Sequence, residues 1–125
     1  MHVRFYSPRA QETARRCYAA LVAENKIFQA LADPSRRAIF ESLTRGEAAV
    51  KDLTARFDIS QPAVSQHLAA LKQAGLVNGR REGRCVYYRV EPDGMKPLID
   101  WIATYRAFWT DRVDRLEQLL EKMAE

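Results

Sequence analysis

Apolar residues recur at helical spacing over residues 50–74, in two sets separated by a break. The first set, at i, i+3 and i+7, is Val50, Leu53 and Phe57, and the second, at i, i+4 and i+7, is Val64, Leu68 and Leu71. Each spacing puts its members on one side of an α-helix, where they can be buried together. The pattern therefore predicts two short helices, each with one buried stripe.

The residues between the two stripes favour a tight turn followed by a new helix. Asp58 stands where the chain must turn, and Asp is among the few non-glycine residues that tolerate the left-handed conformation. Ser60 is suited to cap the second helix, and Pro62 falls in its first turn, where a missing N–H costs nothing. These signals predict two helices joined directly by a turn.

The second helix has a polar, short-chained outer face that is uncharged near its N-terminus. Because Val64 and Leu68 point inward, the outward residues are Ser65, Gln66, Ala69 and Gln73, with Gln61 at the helix tip. Gln can bond N6 and N7 of adenine in a bidentate way, and Ser can bond several bases. This face therefore predicts a helix that reads base edges.

A β-hairpin is predicted after the second helix. Gly75 is the expected glycine just beyond the helix end, and Glu82-Gly83 is the favoured hairpin turn. This turn separates a short first strand, residues 79–81, from a second strand, residues 84–90.

The predicted hairpin has an apolar face and an arginine-rich tip. On the second strand, the residues expected inside are Val86, Tyr88 and Val90, and those expected outside are Cys85, Tyr87 and Arg89. Arg80, Arg81 and Arg84 crowd around the tip with one opposing acid, Glu82. Such a hairpin beside a reading helix suits a phosphate track or a narrow minor groove. The alternative is a solvated charged loop.

A long helix is predicted from about Met95 or Pro97 to near Met123. Its nearly heptad apolar seam is Leu98, Ile102, Tyr105, Trp109, Val113, Leu116, Leu120 and Met123. Trp101 and Phe108 widen the seam. A stripe this wide and aromatic is not expected in water, and a domain of this size cannot cover all of it. Dimerisation is the simplest remedy.

The N-terminal part predicts three further helical segments, whereas residues 1–6 give no clear signal. Ser7-Pro8 favours the start of a helix that ends at about Leu21 or Val22. A short amphipathic segment, Lys26 to Ala32, follows it. Asp33 and Pro34 then favour the start of another helix, as N-cap and first helical residue, and this helix is expected to end at Arg45-Gly46.

The chain resembles the ArsR/SmtB family of winged helix-turn-helix repressors over roughly residues 26–110. The resemblance rests on the order of three segments, LADPSRRAIFESL, VKDLTARFDISQPAVSQHLAALKQAGLV and GRREGRCVYYRV. Its most specific part is the Ser-Gln-Pro-x-Val-Ser-x-His-Leu block followed by Ala-Gly-Leu-Val. The chain departs from the general helix-turn-helix pattern at Thr54 and Asp58, where a small alanine and a turn glycine are usual.

The resemblance implies a mainly α fold with a small β-hairpin, a winged helix-turn-helix that dimerises through its N- and C-terminal helices. A two-fold dimer presents two recognition helices to half-sites about one DNA turn apart. We expect a helical N-terminal extension over residues 1–22, a winged helix-turn-helix DNA-binding domain over 23–96, and a dimerisation helix over 97–125.

These observations predict two sets of site residues. The residues expected to bind double-stranded DNA are Ser60, Gln61, Ser65, Gln66, His67, Arg80, Arg81 and Arg84. The residues expected in the homodimer interface are Leu98, Ile102, Tyr105, Trp109, Val113, Leu116 and Leu120. For His67, the resemblance favours a phosphate or base contact, and the alternative is a satisfied, half-buried histidine.

The resemblance also shows which metal sites this chain lacks. Many family members bind metals through a Glu-Leu-Cys-Val-Cys-Asp-Leu block, and residues 47–53 here place Ala49 and Lys51 at the cysteine positions. Another family site uses Asp, His, His and Glu on the last helix. Aligned from Asp100, the positions that cannot ligate are Ile102, Val113 and Leu116. A transition-metal site needs about three or four N or S donors, so we expect no metal and no other cofactor.

Charge is distributed unevenly along the 125 residues, which are enough for one domain. The chain has 20 basic and 16 acidic residues, a net of +4. Residues 97–125 carry four basic and six acidic residues, which leaves sixteen basic and ten acidic, a net of +6, for residues 1–96. The positive potential therefore belongs to the part with the two-helix motif, as expected for a DNA-binding protein.

Several classes of protein are disfavoured by the sequence. It has no continuous apolar run long enough for a membrane helix and no signal peptide, so we expect a cytoplasmic protein without a membrane partner. There is no Gly-rich phosphate loop and no Ser/His/Asp set that spacing supports, so we expect no enzyme and no catalytic residue. The residues do not identify an effector.

The sequence leaves two alternatives to a simple DNA-binding repressor. One is a winged-helix protein-interaction module, whose basic wing contacts an acidic partner. The other is a thiol-based redox-responsive repressor, in which oxidation of Cys85, with or without Cys17, alters DNA affinity. An incidental free thiol is the simpler interpretation of Cys85.

Arg36 and Arg37 lie in the first turn of a predicted helix, where cations oppose the helix dipole. They therefore need partners. A surface salt bridge to Glu41 or Asp33 and a DNA phosphate are both open.

Overall fold

The computed structural model describes residues 8–124, which form five helices and three strands. The elements are α1 (Pro8–Ala32), α2 (Pro34–Thr44), β1 (Ala48–Ala49), α3 (Val50–Phe57), α4 (Gln61–Gln73), β2 (Val77–Glu82), β3 (Cys85–Val90) and α5 (Lys96–Ala124). The predicted class, mainly α with a small β-hairpin, is confirmed. The chain divides into two compact units between Met95 and Lys96.

The first helix is longer than predicted. α1 is continuous from Pro8 to Ala32, so the prediction of an end near Leu21 or Val22 and a separate segment from Lys26 is wrong. Residues 22–26 contain no glycine or proline, so nothing there stops a helix from propagating. The prediction for Ser7 and the lack of signal over residues 1–6 concern residues outside those that the structure describes.

The start of α2 is capped as predicted. Asp33 is extended, its side-chain Oδ1 accepts a hydrogen bond from the Arg36 backbone N–H at 3.0 Å, and Pro34 follows in the first turn. This hydrogen bond lowers the pKa of the Asp33 carboxyl below its usual value, and the nearby His67 adds a weaker effect in the same direction.

The arginines of the first turn of α2 hydrogen-bond to the end of α1. The Arg37 guanidinium donates to the Leu31 carbonyl at 3.1 Å, and that of Arg36 makes a longer contact, 3.5 Å, with the Ala30 carbonyl. The last carbonyls of a helix lack intrahelical partners and carry a partial negative charge. Among the described residues, neither arginine forms a salt bridge with Glu41 or Asp33, which was one of the two open alternatives.

The turn between α3 and α4 confirms the predicted pair of helices. Asp58 is left-handed, with φ 50° and ψ 44°, and it ends α3. Ser60 is extended, and its side-chain oxygen accepts a hydrogen bond from the Ala63 N–H at 3.2 Å, which caps α4. Thr54, which replaces the small alanine of the general helix-turn-helix pattern, donates its hydroxyl to the Val50 carbonyl at 2.9 Å.

The wing is part of a three-stranded antiparallel sheet of order β1-β3-β2, where a two-stranded hairpin was predicted. The two alanines of β1 pair with Tyr88 and Tyr87, but a strand of two residues has no alternation to reveal it. The hairpin loop is Gly83-Arg84, one residue later than predicted. Gly83 has φ +62°, which fits a type II′ turn with glycine first.

One apolar core holds the helix-turn-helix to α1, α2 and the sheet. Its fully buried side chains are Ile27, Ile39, Leu53, Val64, Leu68, Leu71, Leu76 and Val77. Two of them, Val64 and Leu68, are the predicted inward residues of α4. Their burial fixes the rotation of α4 about its axis, and with it the side chains that face outward.

Candidate nucleic-acid interface

The outward face of α4 is polar and open to solvent. Ser65 and Gln66 are exposed, next to Val64, which is fully buried. Gln61 is exposed at the first helical position. Ser60 is also exposed, and its side-chain oxygen accepts the capping hydrogen bond from the Ala63 N–H. The N-terminal half of α4 thus offers amide and hydroxyl groups at the end of the helix whose dipole attracts a phosphate backbone.

His67 lies on the edge of this face and is half-buried. Its Nδ1 is buried and has no hydrogen-bond partner among residues 8–124. The ring is close enough to Asp33 to contribute to lowering the pKa of that carboxyl. The imidazole is therefore half-buried as one alternative proposed, but at Nδ1 it is not satisfied.

The strand register assigns the wing side chains to two faces of the sheet. Cross-strand partners share a face, and successive residues alternate. One face carries the pairs Gly79 with Tyr88 and Arg81 with Val86, and the other carries Arg80 with Tyr87 and Glu82 with Cys85. The first face borders α4, because Val86 and Tyr88 line a cleft together with Gln61 and Ser65.

The cleft between α4 and the wing has a volume of about 240 Å³. Its walls come from the start of α3, the start of α4 and β3, and its lining residues include Lys51, Gln61, Ser65, Arg84, Cys85 and Tyr88. Two of these residues, Lys51 and Arg84, are cations that line the same cleft as Gln61 and Ser65 of α4. Lys51 was not among the predicted DNA-binding residues. In the sequence it is a single lysine of α3, and only the fold brings it to the cleft beside α4.

The three arginines at the wing tip, Arg80, Arg81 and Arg84, differ in their partners. Arg80 donates from Nε to Oε1 of Glu47 and from one terminal nitrogen to Oε2 of Glu82, both at 2.6 Å. These two carboxylates raise the pKa of its guanidinium. Arg81 and Arg84 are exposed, and their side chains form no ion pair or hydrogen bond with any residue from 8 to 124. The tip of the wing thus has two unpaired arginines, and the pairing of Arg80 with Glu47 was not predicted from the sequence.

The predicted dimer residues lie on α5, and nearly all of them are exposed in the single chain. Leu98 is the buried one, and the exposed ones are Ile102, Tyr105, Trp109, Val113, Leu116 and Leu120. Trp109, at 62%, is the most exposed of this set. Trp101 and Phe108, which widen the seam, are exposed too. α5 therefore carries an apolar surface along most of its length.

Three further observations concern possible metal sites, membrane-spanning helices and the two cysteine thiols. Among residues 8–124, no three His, Cys, Asp or Glu side chains are placed to hold a metal ion. No helix in that range is long and apolar enough to cross a membrane. Both cysteines are free; Cys17 is exposed, and Cys85 is half-buried at the cleft.

Comparison with known proteins gives consistent matches. Residues 33–79 match the family described as bacterial regulatory protein, arsR family. The chain is 35% identical over 81 residues to the transcriptional repressor SdpR of Bacillus subtilis. The aligned residues cover 65% of this chain and 90% of that protein. It is 40% identical over 97 residues to the HTH-type transcriptional regulator Rv2034 of Mycobacterium tuberculosis, covering 78% and 88%.

A solved structure shares the fold. The homodimeric winged helix-turn-helix DNA-binding domain of Mb0332 from Mycobacterium bovis, solved by NMR, has a TM-score of 0.61 and 33% sequence identity. The match covers 74% of this chain and 88% of that one.

Proposed function

This chain belongs to the arsR family of bacterial regulatory proteins, and from that premise we propose that it represses transcription as a homodimer on a palindromic operator in its own promoter. It is a winged helix-turn-helix transcriptional regulator and not an enzyme. The observation that carries the proposal is the exposed Ser65-Gln66 pair on α4 beside the unpaired arginines of the wing. We place the protein in the cytoplasm, where bacterial DNA lies.

The α4 residues and the wing arginines of this surface have different roles in DNA recognition. Ser65 and Gln66 project from the N-terminal half of α4, the part of a recognition helix that contacts base edges in the major groove. Arg81 and Arg84 carry full charges at the wing tip and suit phosphates or the minor groove. Base contacts then give sequence preference, and phosphate contacts give affinity and register.

The apolar surface of α5 supports the homodimer. Side chains such as Trp109, Val113 and Leu116 are more than half exposed in the single chain, and an apolar face this large calls for a partner. A second copy is the partner that also places two α4 helices on a two-fold operator. The related domain of Mb0332 is homodimeric, which agrees.

DNA reading is tested by alanine substitution along α4. We expect Ser65→Ala with Gln66→Ala to abolish the specific complex with the protein's own upstream region, because base-edge hydrogen bonds are worth about 1–3 kcal/mol per contact and a dimer loses them twice. Gln73→Ala is the matched control: it removes an exposed amide from the C-terminal end of the same helix and should leave binding nearly unchanged. Equal loss in both variants would argue against reading by the N-terminal half.

Dimerisation is tested by a charge in the seam of α5. Leu116→Glu places a carboxylate where the proposed interface is apolar, so we expect a monomer in light scattering and loss of operator binding. Gln118→Glu introduces the same side chain about 200° around the helix and should stay dimeric. A Leu116→Glu protein that remains dimeric would exclude this surface as the interface.

A further inference from the structure

The side chain of Arg80 spans the whole sheet. It starts on β2, its guanidinium carbon lies 4.9 Å from the centre of the Tyr87 ring on β3, and its Nε reaches Glu47, the residue before β1. A second hydrogen bond returns to Glu82 near the end of β2. Glu47 and Arg80 are 33 residues apart in the chain. One side chain thus connects the wing to the segment that leads directly into α3.

The charge of Arg80 is balanced within the protein. Both partner carboxylates are at 2.6 Å, a short distance typical of charge-assisted hydrogen bonds. Two of the five N–H groups of its guanidinium bond these carboxylates, so a DNA phosphate at the remaining ones would lie beside two negative charges that repel it. Arg80 also lies on the sheet face opposite to Val86 and Tyr88, which line the cleft beside α4, whereas Arg81 shares their face.

We propose that Arg80 is a positioning residue that straps the wing to the segment preceding α3, and that Arg81 and Arg84 are the wing's phosphate contacts. This proposal rests on the proposed DNA-binding function. It gives different roles to three arginines that the sequence alone does not distinguish. The strap crosses Tyr87 and ends on Glu47, so it holds β2, the edge strand opposite β1, in a fixed place relative to the segment that leads into α3.

The wing needs such a strap because its own stabilisation is small. A two-stranded hairpin is marginally stable in water, and β1 adds only two residues to the sheet. The three contacts of Arg80 form a connected network around a planar guanidinium, an arrangement that holds geometry better than a single exposed ion pair. With the strap in place, the tip arginines are held where they meet the DNA, and less ordering is needed upon binding.

Salt dependence of operator affinity separates positioning from contact. Each phosphate contact contributes about 0.9 to the slope of log affinity against log salt, so Arg81→Gln should lower the slope of a dimer by about 1.8. Arg80→Gln should weaken binding by about three- to tenfold, the size of an exposed ion pair plus a cation–π contact, with the slope unchanged. Amide hydrogens of β2 should exchange faster in Arg80→Gln than in the parent protein.

Substitution of Glu47 gives opposite signs for the two roles. If Arg80 is a strap, Glu47→Gln weakens it by removing the carboxylate charge, and DNA binding becomes weaker. If Arg80 contacts a phosphate, the same substitution removes a competing carboxylate, and DNA binding becomes tighter. Glu41→Gln is the control, since it removes an exposed acid of the same kind that forms no ion pair among the described residues.

Two results would overturn the strap: a slope that falls as much in Arg80→Gln as in Arg81→Gln, or tighter binding in Glu47→Gln than in Glu41→Gln. If the parent protein forms no salt-dependent complex, the proposed function fails instead. Hydrogen exchange in β2 then still tests the strap, and unchanged exchange in both Arg80→Gln and Glu47→Gln would refute it.

Discussion

The turn between α3 and α4 depends on a left-handed residue that is not glycine. Asp58 has φ 50° and ψ 44°, and it is the one non-glycine residue with positive φ among residues 8–124. Its side chain is exposed and forms no hydrogen bond or ion pair with the described residues. Substitution at this position therefore changes the backbone preference and one surface charge, and little else.

Comparison of Asp58→Gly with Asp58→Ala isolates the backbone effect, because both variants remove the same charge. A left-handed L-residue costs about 1–2 kcal/mol, which glycine avoids. Glycine also gives the unfolded chain more freedom, which costs about 0.4–1 kcal/mol. The difference leaves Asp58→Gly more stable than Asp58→Ala by about 1 kcal/mol, or roughly 4 °C in Tm for a domain of this size. Aspartate should lie between the two.

The assay is urea unfolding followed by far-UV circular dichroism. All variants are measured at one protein concentration, because the stability of a dimer depends on it. The expected signature is a shift of the midpoint at constant slope. Equal stability of Asp58→Gly and Asp58→Ala would refute the assignment of a left-handed turn at this residue.

Three further predictions concern caps, pH and packing. Ser60→Ala should cost about 1 kcal/mol and speed amide exchange in the first turn of α4, whereas Ser60→Thr should keep most of the cap. The pKa of Asp33 is lowered in the folded state, chiefly by the Arg36 N–H, so its stabilising effect is complete above the unfolded-state pKa and is lost as pH falls through the folded one. Acid titration of Asp33→Asn should show less loss of stability in that range. Gly94→Ala should cost about 1–3 kcal/mol in urea unfolding, because the added methyl would overlap the Gly75 carbonyl oxygen.

Local signals explain what could be predicted from the sequence. The turn at Asp58, the cap at Ser60 and the buried pair Val64 and Leu68 all lie within a few residues of one another, and each has its own steric or hydrogen-bonding cause. Their agreement placed α3, α4 and the outward polar face where the structure has them. Elements specified by several consistent local preferences are the ones that sequence reasoning finds.

The sequence predictions that the structure contradicts, or that were not made, have a different physical origin. The predicted break near Val22 is wrong because weak amphipathicity does not end a helix, and no residue there disrupts helical hydrogen bonds. β1 was missed because its two residues pair only through contacts distant in sequence. The pairing of Arg80 with Glu47 is likewise created by the fold, so the three wing arginines could not be distinguished before the sheet order was known.

Selection of DNA by the purified protein tests the central claim most directly. The homodimer is incubated with random oligonucleotides at physiological salt, and the bound DNA is sequenced. We expect a two-fold symmetric motif with half-site centres about 10–10.5 base pairs apart, lost when Ser65→Ala is combined with Gln66→Ala. A selected pool without a shared motif, or the same motif with that double variant, would contradict the assignment of α4 as the DNA-reading element.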